Sequence, residues 1–166
     1  MDKIICYMHE EGTLAIVTPC AELFDKLSRH RAHFDKHHPG IDTDEQLLHY
    51  IAKKDIPEGQ EYFILDKSAL PEDRYFRNAW KHDNGSIKIH MDKAKSIHLN
   101  KLRDIRSQKF IDLGFPQQLN PQVENAILGD DLKATLKELR DFPQNMDLSS
   151  VSDPDTLKSL IPDCLK

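Results

Sequence analysis

From Met91 to Asp112 the apolar residues Met91, Ala94, Ile97, Leu102, Ile105 and Ile111 recur at helical spacing, and lysines and arginines dominate the other positions. The pattern predicts one helix of about 20 residues, roughly 30 Å long, stopped by Gly114 and Pro116. An element of that length divides the chain into a body before it, residues 1–90, and a region organised around it, residues 91–166. It also offers a long surface to a second copy of the chain.

Before the helix the periodicity changes. Lys3 to His9 and Thr13 to Thr18 are rich in β-branched and aromatic residues, with Glu10-Glu11-Gly12 between them, and predict a hairpin. Ala21 to Arg31 predicts a helix, and Phe34 to Gly40 a loop because of Pro39-Gly40. A further helix starts at Asp42 or Thr43, with Thr43 and Gln46 spaced as a capping box, and buries Leu47, Leu48 and Ile51. Glu61 to Asp66 reads as a strand. Asn84-Gly85 makes a hairpin turn into Ile87–His90. After Gly114 the chain reads as helices only: 121–128, then 130–142 closed by Pro143, then a short one capped by Ser152 or Asp153. The class is α+β, a small antiparallel sheet with short helices followed by a long helix and an all-helical C-terminal third.

Charge is unevenly placed. Between Arg74 and Lys109 stand ten Lys/Arg against three Asp, although the whole chain carries a net charge of -5. Such a bipolar chain steers an acidic partner or another copy of itself. With a pI of about 6.0 and no finger, helix-turn-helix or RNA-binding signature, nucleic acid is not the expected partner. No run approaches the roughly 18 apolar residues of a membrane span, and the N-terminus lacks the pattern of a signal peptide. Cys6, Cys20 and Cys164 are widely spaced and form no CxxC, as suits reduced thiols in the cytoplasm.

Chemistry-bearing patterns are sparse. His30, His33, His37 and His38 cluster, and His30, His33 and His37 could supply three imidazoles to zinc. The spacing matches no tight metal motif, and Arg31 and Lys36 lie among them. His9-Glu10-Glu11 is not HExxH, no glycine-rich phosphate loop is present, and Asp130-Asp131 reads as a helix start. No serine or cysteine is marked as a nucleophile, and no cofactor is expected.

The densest aromatic and arginine content is Leu70-Pro71-Glu72-Asp73-Arg74-Tyr75-Phe76-Arg77-Asn78-Ala79-Trp80. Phe76, Ala79 and Trp80 fall on one face of a short helical turn and form an anchor. Arg74 and Arg77 then pair with Asp66 or Asp73 or remain open to a partner. The expected contact residues are Arg74, Phe76, Arg77 and Trp80, with Lys101, Arg103 and Arg106 on the long helix.

This string, with Ile56-Pro57-Glu58-Gly59, Tyr62-Phe63-Ile64-Leu65-Asp66, Met91-Asp92-Lys93-Ala94-Lys95-Ser96-Ile97-His98, Leu102-Arg103, Leu139-Arg140-Asp141 and Thr156-Leu157-Lys158 before Pro162, resembles small proteins of tailed bacteriophages and prophages. Those proteins are often encoded among tail and tail-fibre genes. The likeness runs from about residue 50 to 162, with a weaker echo in the first hairpin; residues 21–42 look like an insertion. The resemblance implies a phage or prophage setting, the bacterial host cytoplasm or the virion, and brings no assigned activity; the leading expectation is a non-enzymatic protein acting by protein–protein contact. Its partner is then a phage structural or host protein, in tail assembly or as a tail-associated component. One alternative is an accessory inhibitor of a host defence or regulatory factor. A third is a metal-dependent hydrolase using the His30–His38 cluster.

Overall fold

The computed structural model describes residues 2–118 and 120–166, and the chain divides into two compact units, Met1–His90 and Met91–Lys166. The fold is α+β, with the strands in the N-terminal part and helices throughout the C-terminal part.

In the first unit, β1 (Lys3–Met8) lies between β2 (Leu14–Val17) and β3 (Tyr62–Asp66) in an antiparallel sheet of order β2-β1-β3. The register sets Ile5 opposite Val17 and Ile64, and Cys6 opposite Ile16 and Phe63. Ile4, Ile5 and Cys6 are consecutive and all buried, so both faces of the central strand are covered. Ile5 points to a cluster made by α1 (Ala21–Arg29), α2 (Arg31–His37) and α3 (Asp44–Asp55), through Leu27, Phe34, Leu47 and Ile51. Ile4 and Cys6 point the other way, to Leu14 and Trp80. Trp80 opens a second hairpin, β4 (Trp80–Asp83) and β5 (Ser86–Ile89). His82 of that hairpin stacks on Phe63 with ring centroids 3.6 Å apart.

Local chemistry accounts for the boundaries. Thr43 accepts from the Gln46 amide, and the Gln46 side chain accepts in turn from the Thr43 amide, completing the capping box of α3. Such a cap contributes about 1 kcal/mol. The turn between β4 and β5 has positive φ at both Asn84 and Gly85, the backbone whose twist matches the flanking strands.

The histidine segment departs from expectation. Phe34 to His37, expected in a loop, belong to α2, and α1 stops at Arg29 instead of Arg31. Pro39 restricts only the residue before it, so the helix runs to His37, and burial of Phe34 in the core holds it there.

In the second unit α4 (Met91–Asp112) is the long helix, followed by α5 (Pro121–Ile127), α6 (Asp130–Asn145) and α7 (Pro154–Ser159). At its end the Phe115 amide bonds the Phe110 carbonyl and the Gly114 amide the Ile111 carbonyl, with Gly114 at φ 74°. That left-handed stop joins Phe110 and Phe115 in one apolar cluster. The buried stripe of α4 is Ala94, His98, Leu102 and Phe110, four or eight residues apart. Two residues expected on it, Ile105 and Ile111, are instead 41% and 69% exposed. A buried histidine takes the place that the apolar count gave to isoleucine. Leu102 and Phe110 pack with Leu136, Leu139 and Phe142 of α6. Pro143 does not close α6, which continues to Asn145. Lying in the last turn, the proline removes only the bond its own nitrogen would have made to Leu139. Asp153 caps α7 by accepting from the Thr156 amide at 2.7 Å. Among the described residues no helix is long and apolar enough to cross a membrane.

Candidate functional site

The seven expected contact residues meet different fates. Phe76 and Trp80 are buried, with Ala79, where the 3-10 turn Arg77–Ala79 leads into β4. They are core. On α4, Arg106 lies over the Phe142 ring, 5.9 Å from its centroid, and Arg103 donates to the Asn100 side chain at 2.9 Å. Lys101 is half-buried and also has a partner. Neighbouring lysines of the helix bond backbone carbonyls: Lys95 reaches Ser149 and Lys109 reaches Lys166, each at 3.1 Å. Lys95 and Lys109 therefore fasten other segments of the second unit to α4.

Arg74 and Arg77 are different. Both are exposed, and neither side chain forms an ion pair among the described residues. Their expected partners are occupied elsewhere: Asp66 pairs with Lys3 at 2.8 Å, and Asp73 accepts from the Tyr75 amide at 2.8 Å. The two arginines stand at a cavity of about 250 Å³ lined also by Ile4, Ile16, Thr18, Lys67, Leu70 and Trp80. Lys67 is exposed and likewise lacks an ion pair among the described residues.

The sheet builds this cavity. Pairing of Ile5 with Val17 sets Thr18 beside the start of β1, and pairing of Lys3 with Asp66 sets Lys67 on its other side. The Lys67 amide then donates to the Asp2 carbonyl at 2.6 Å. Trp80 is only 1% exposed, and its indole Nε1 is buried with no hydrogen-bond partner. A buried N–H left unpaired costs about 1–3 kcal/mol, so the orphan calls for a reason. Sequence reasoning picked out Arg74, Arg77 and Trp80 but missed Thr18 and Lys67. Those two arrive through strand register, which no local pattern encodes.

No family model, curated protein or solved structure matches this chain. The site's chemistry therefore rests on its own geometry.

Phe110, Arg106, Arg140 and Gln117 line a cavity of about 260 Å³ in the second unit. Arg140 is already bound there by both carboxylate oxygens of Glu124, at 3.0 and 3.2 Å, so a carboxylate of the chain itself fills that role. The imidazoles do not converge. His30, His33 and His37 are exposed, with the His33 and His37 rings 4.9 Å apart, while His38 packs against Phe34 and Tyr50. Among the described residues no group of three or more His, Cys, Asp or Glu side chains is placed to hold a metal ion.

Two of the three thiols, Cys6 and Cys164, are no better suited to nucleophilic work. Burial pushes the Cys6 thiol up to about 11. Burial first, and Glu138 second, raise that of Cys164. Both keep their protons at neutral pH, and the reactive form of cysteine is the thiolate.

Proposed function

We propose that the chain is a non-enzymatic phage or prophage protein that works through protein–protein contact, as a tail-assembly factor or tail-associated component. The phage setting comes from the likeness carried by the Leu70–Trp80 string and its companions. The observation that carries the contact role is that Arg74 and Arg77 are exposed, form no ion pair among the described residues, and border one cavity with Trp80. Arginine and tryptophan are the side chains most enriched among residues that dominate binding energy. Here both arginines border the cavity that Trp80 also lines, and among the described residues neither pairs with a carboxylate. The proposed setting is the host cytoplasm or the assembling virion.

The test is co-purification from cells producing phage particles. The tagged chain is expected to retain a tail protein, and Arg74→Ala with Arg77→Ala is expected to lose it without altering the circular dichroism spectrum. Retention of a host defence or regulatory factor from uninfected cells, with no tail protein, would replace this reading by that of an accessory inhibitor.

Self-association through α4 belongs to the same proposal, because Ile105 and Ile111 leave the helix with uncovered apolar side chains. Light scattering at high concentration is expected to give the mass of a dimer, reverting to a monomer in Ile111→Glu. A wild-type monomer throughout would remove the dimer.

A further inference from the structure

We infer that the cavity over Trp80 receives a carboxylate presented by the partner protein, either an acidic side chain or a chain terminus. The inference rests on the contact reading of Arg74 and Arg77 and adds the chemistry of what they grip.

The lining decides the sign of the ligand. Its ionisable members are Lys67, Arg74 and Arg77, and no Asp or Glu is among its residues. The three cations have no ion-pair partner among the described residues, so no internal anion balances them. A set of donors with positive charge selects an anionic acceptor and repels metal ions and amines. Arginine pairs planar two-oxygen acceptors with two parallel bonds, which suits a carboxylate.

Size and walls decide what carries that carboxylate. Ligand pockets that enclose a drug-sized molecule measure about 300–1,000 Å³. At about 250 Å³, this one suits one or two residues of a longer chain. Ile4, Ile16 and Leu70 give it apolar walls against which the methylene stem of a glutamate, or a terminal leucine, can lie. A free inorganic anion would leave those walls uncovered.

Trp80 is the only tryptophan of the chain, so its emission reports on this cavity alone. The intact protein is titrated at constant ionic strength with acetyl-Leu-Glu-amide, whose only carboxylate is the side chain, with acetyl-Leu-Gln bearing a free C-terminus, with the uncharged acetyl-Leu-Gln-amide, and with inorganic phosphate. Calorimetry on the same samples detects binding that leaves the emission unmoved. One of the two acidic peptides is expected to bind saturably, and which one identifies the source of the carboxylate; the uncharged one should not bind at all. Arg74→Gln and Arg77→Gln should each weaken binding by about tenfold or more, the loss expected for a charged hydrogen bond. Lys54→Gln, an equal change of charge on an exposed residue outside the cavity, should not alter it.

The proposal is overturned by silence of every probe, by equal binding of the uncharged peptide, by binding of phosphate alone, or by an equal loss in Lys54→Gln. If both acidic peptides fail yet the double arginine variant still loses its protein partner, the contact reading stands and this inference falls. If an acidic peptide binds as expected and the double variant keeps its partner, the reverse holds.

Discussion

Trp80→Ala is expected to lower the thermal midpoint of the first unit by roughly 20 °C, from a loss of about 3–5 kcal/mol. The indole is almost wholly buried among Ile4, Cys6 and Leu14, with Ile16, Leu65, Leu70, Ile87 and Ile89 packed around it. Removing it opens a void under one face of the sheet and withdraws the side chain with which the second hairpin begins. Trp80→Phe keeps most of the apolar contact and deletes the unpaired N–H. It should cost only about 1 kcal/mol, because relief of the orphan donor offsets part of the lost packing. Differential scanning calorimetry of both variants gives the comparison. A midpoint for Trp80→Ala within about 5 °C of wild type would show that Trp80 does not anchor the hairpin.

The second large effect is in the other unit. His98→Ala should destabilise it by about 3 kcal/mol, read from the urea midpoint. The imidazole is 0% exposed, and its Nε2 meets the Leu160 carbonyl at 2.9 Å. A carbonyl only accepts, so Nε2 carries the proton. The bond ties α4 to the segment that follows α7. Truncation leaves both a cavity and an unpaired acceptor. His98→Leu fills the space but still leaves the Leu160 carbonyl unpaired, so it should lose about half as much. Equal stability of His98→Ala and wild type would mean that this contact contributes nothing to the fold.

These two residues also mark where sequence reading succeeds and where it stops. Trp80 was legible as an anchor because Phe76, Ala79 and Trp80 share a local spacing that any short turn would place together. The Thr43–Gln46 box, the Asn84-Gly85 turn and the bounds of α4 were legible for the same reason: each is written within a few residues. His98 was not legible. Counting apolar residues assigned the buried face of α4 to Ile105 and Ile111, whereas the helix turns a histidine inward to a backbone acceptor more than sixty residues away. The α2 helix was hidden because a proline-glycine pair outweighed a single buried phenylalanine. The arginines of the candidate site could be named from the sequence, but the cavity they border could not. It depends on strand register, which brings Thr18 and Lys67 to either side of β1.

The central position of β1 has a consequence for how the molecule is made. Its partner on one side follows within a few residues, but its partner on the other, β3, is separated by roughly sixty residues, a loop whose closure entropy must be met before that pairing can form. During synthesis the first strand and its hairpin therefore leave the ribosome early and wait, with one hydrogen-bonding edge open, until residue 66 emerges. A translational pause placed before residue 66 has emerged would lengthen the exposure of that edge, and one placed after its emergence would not.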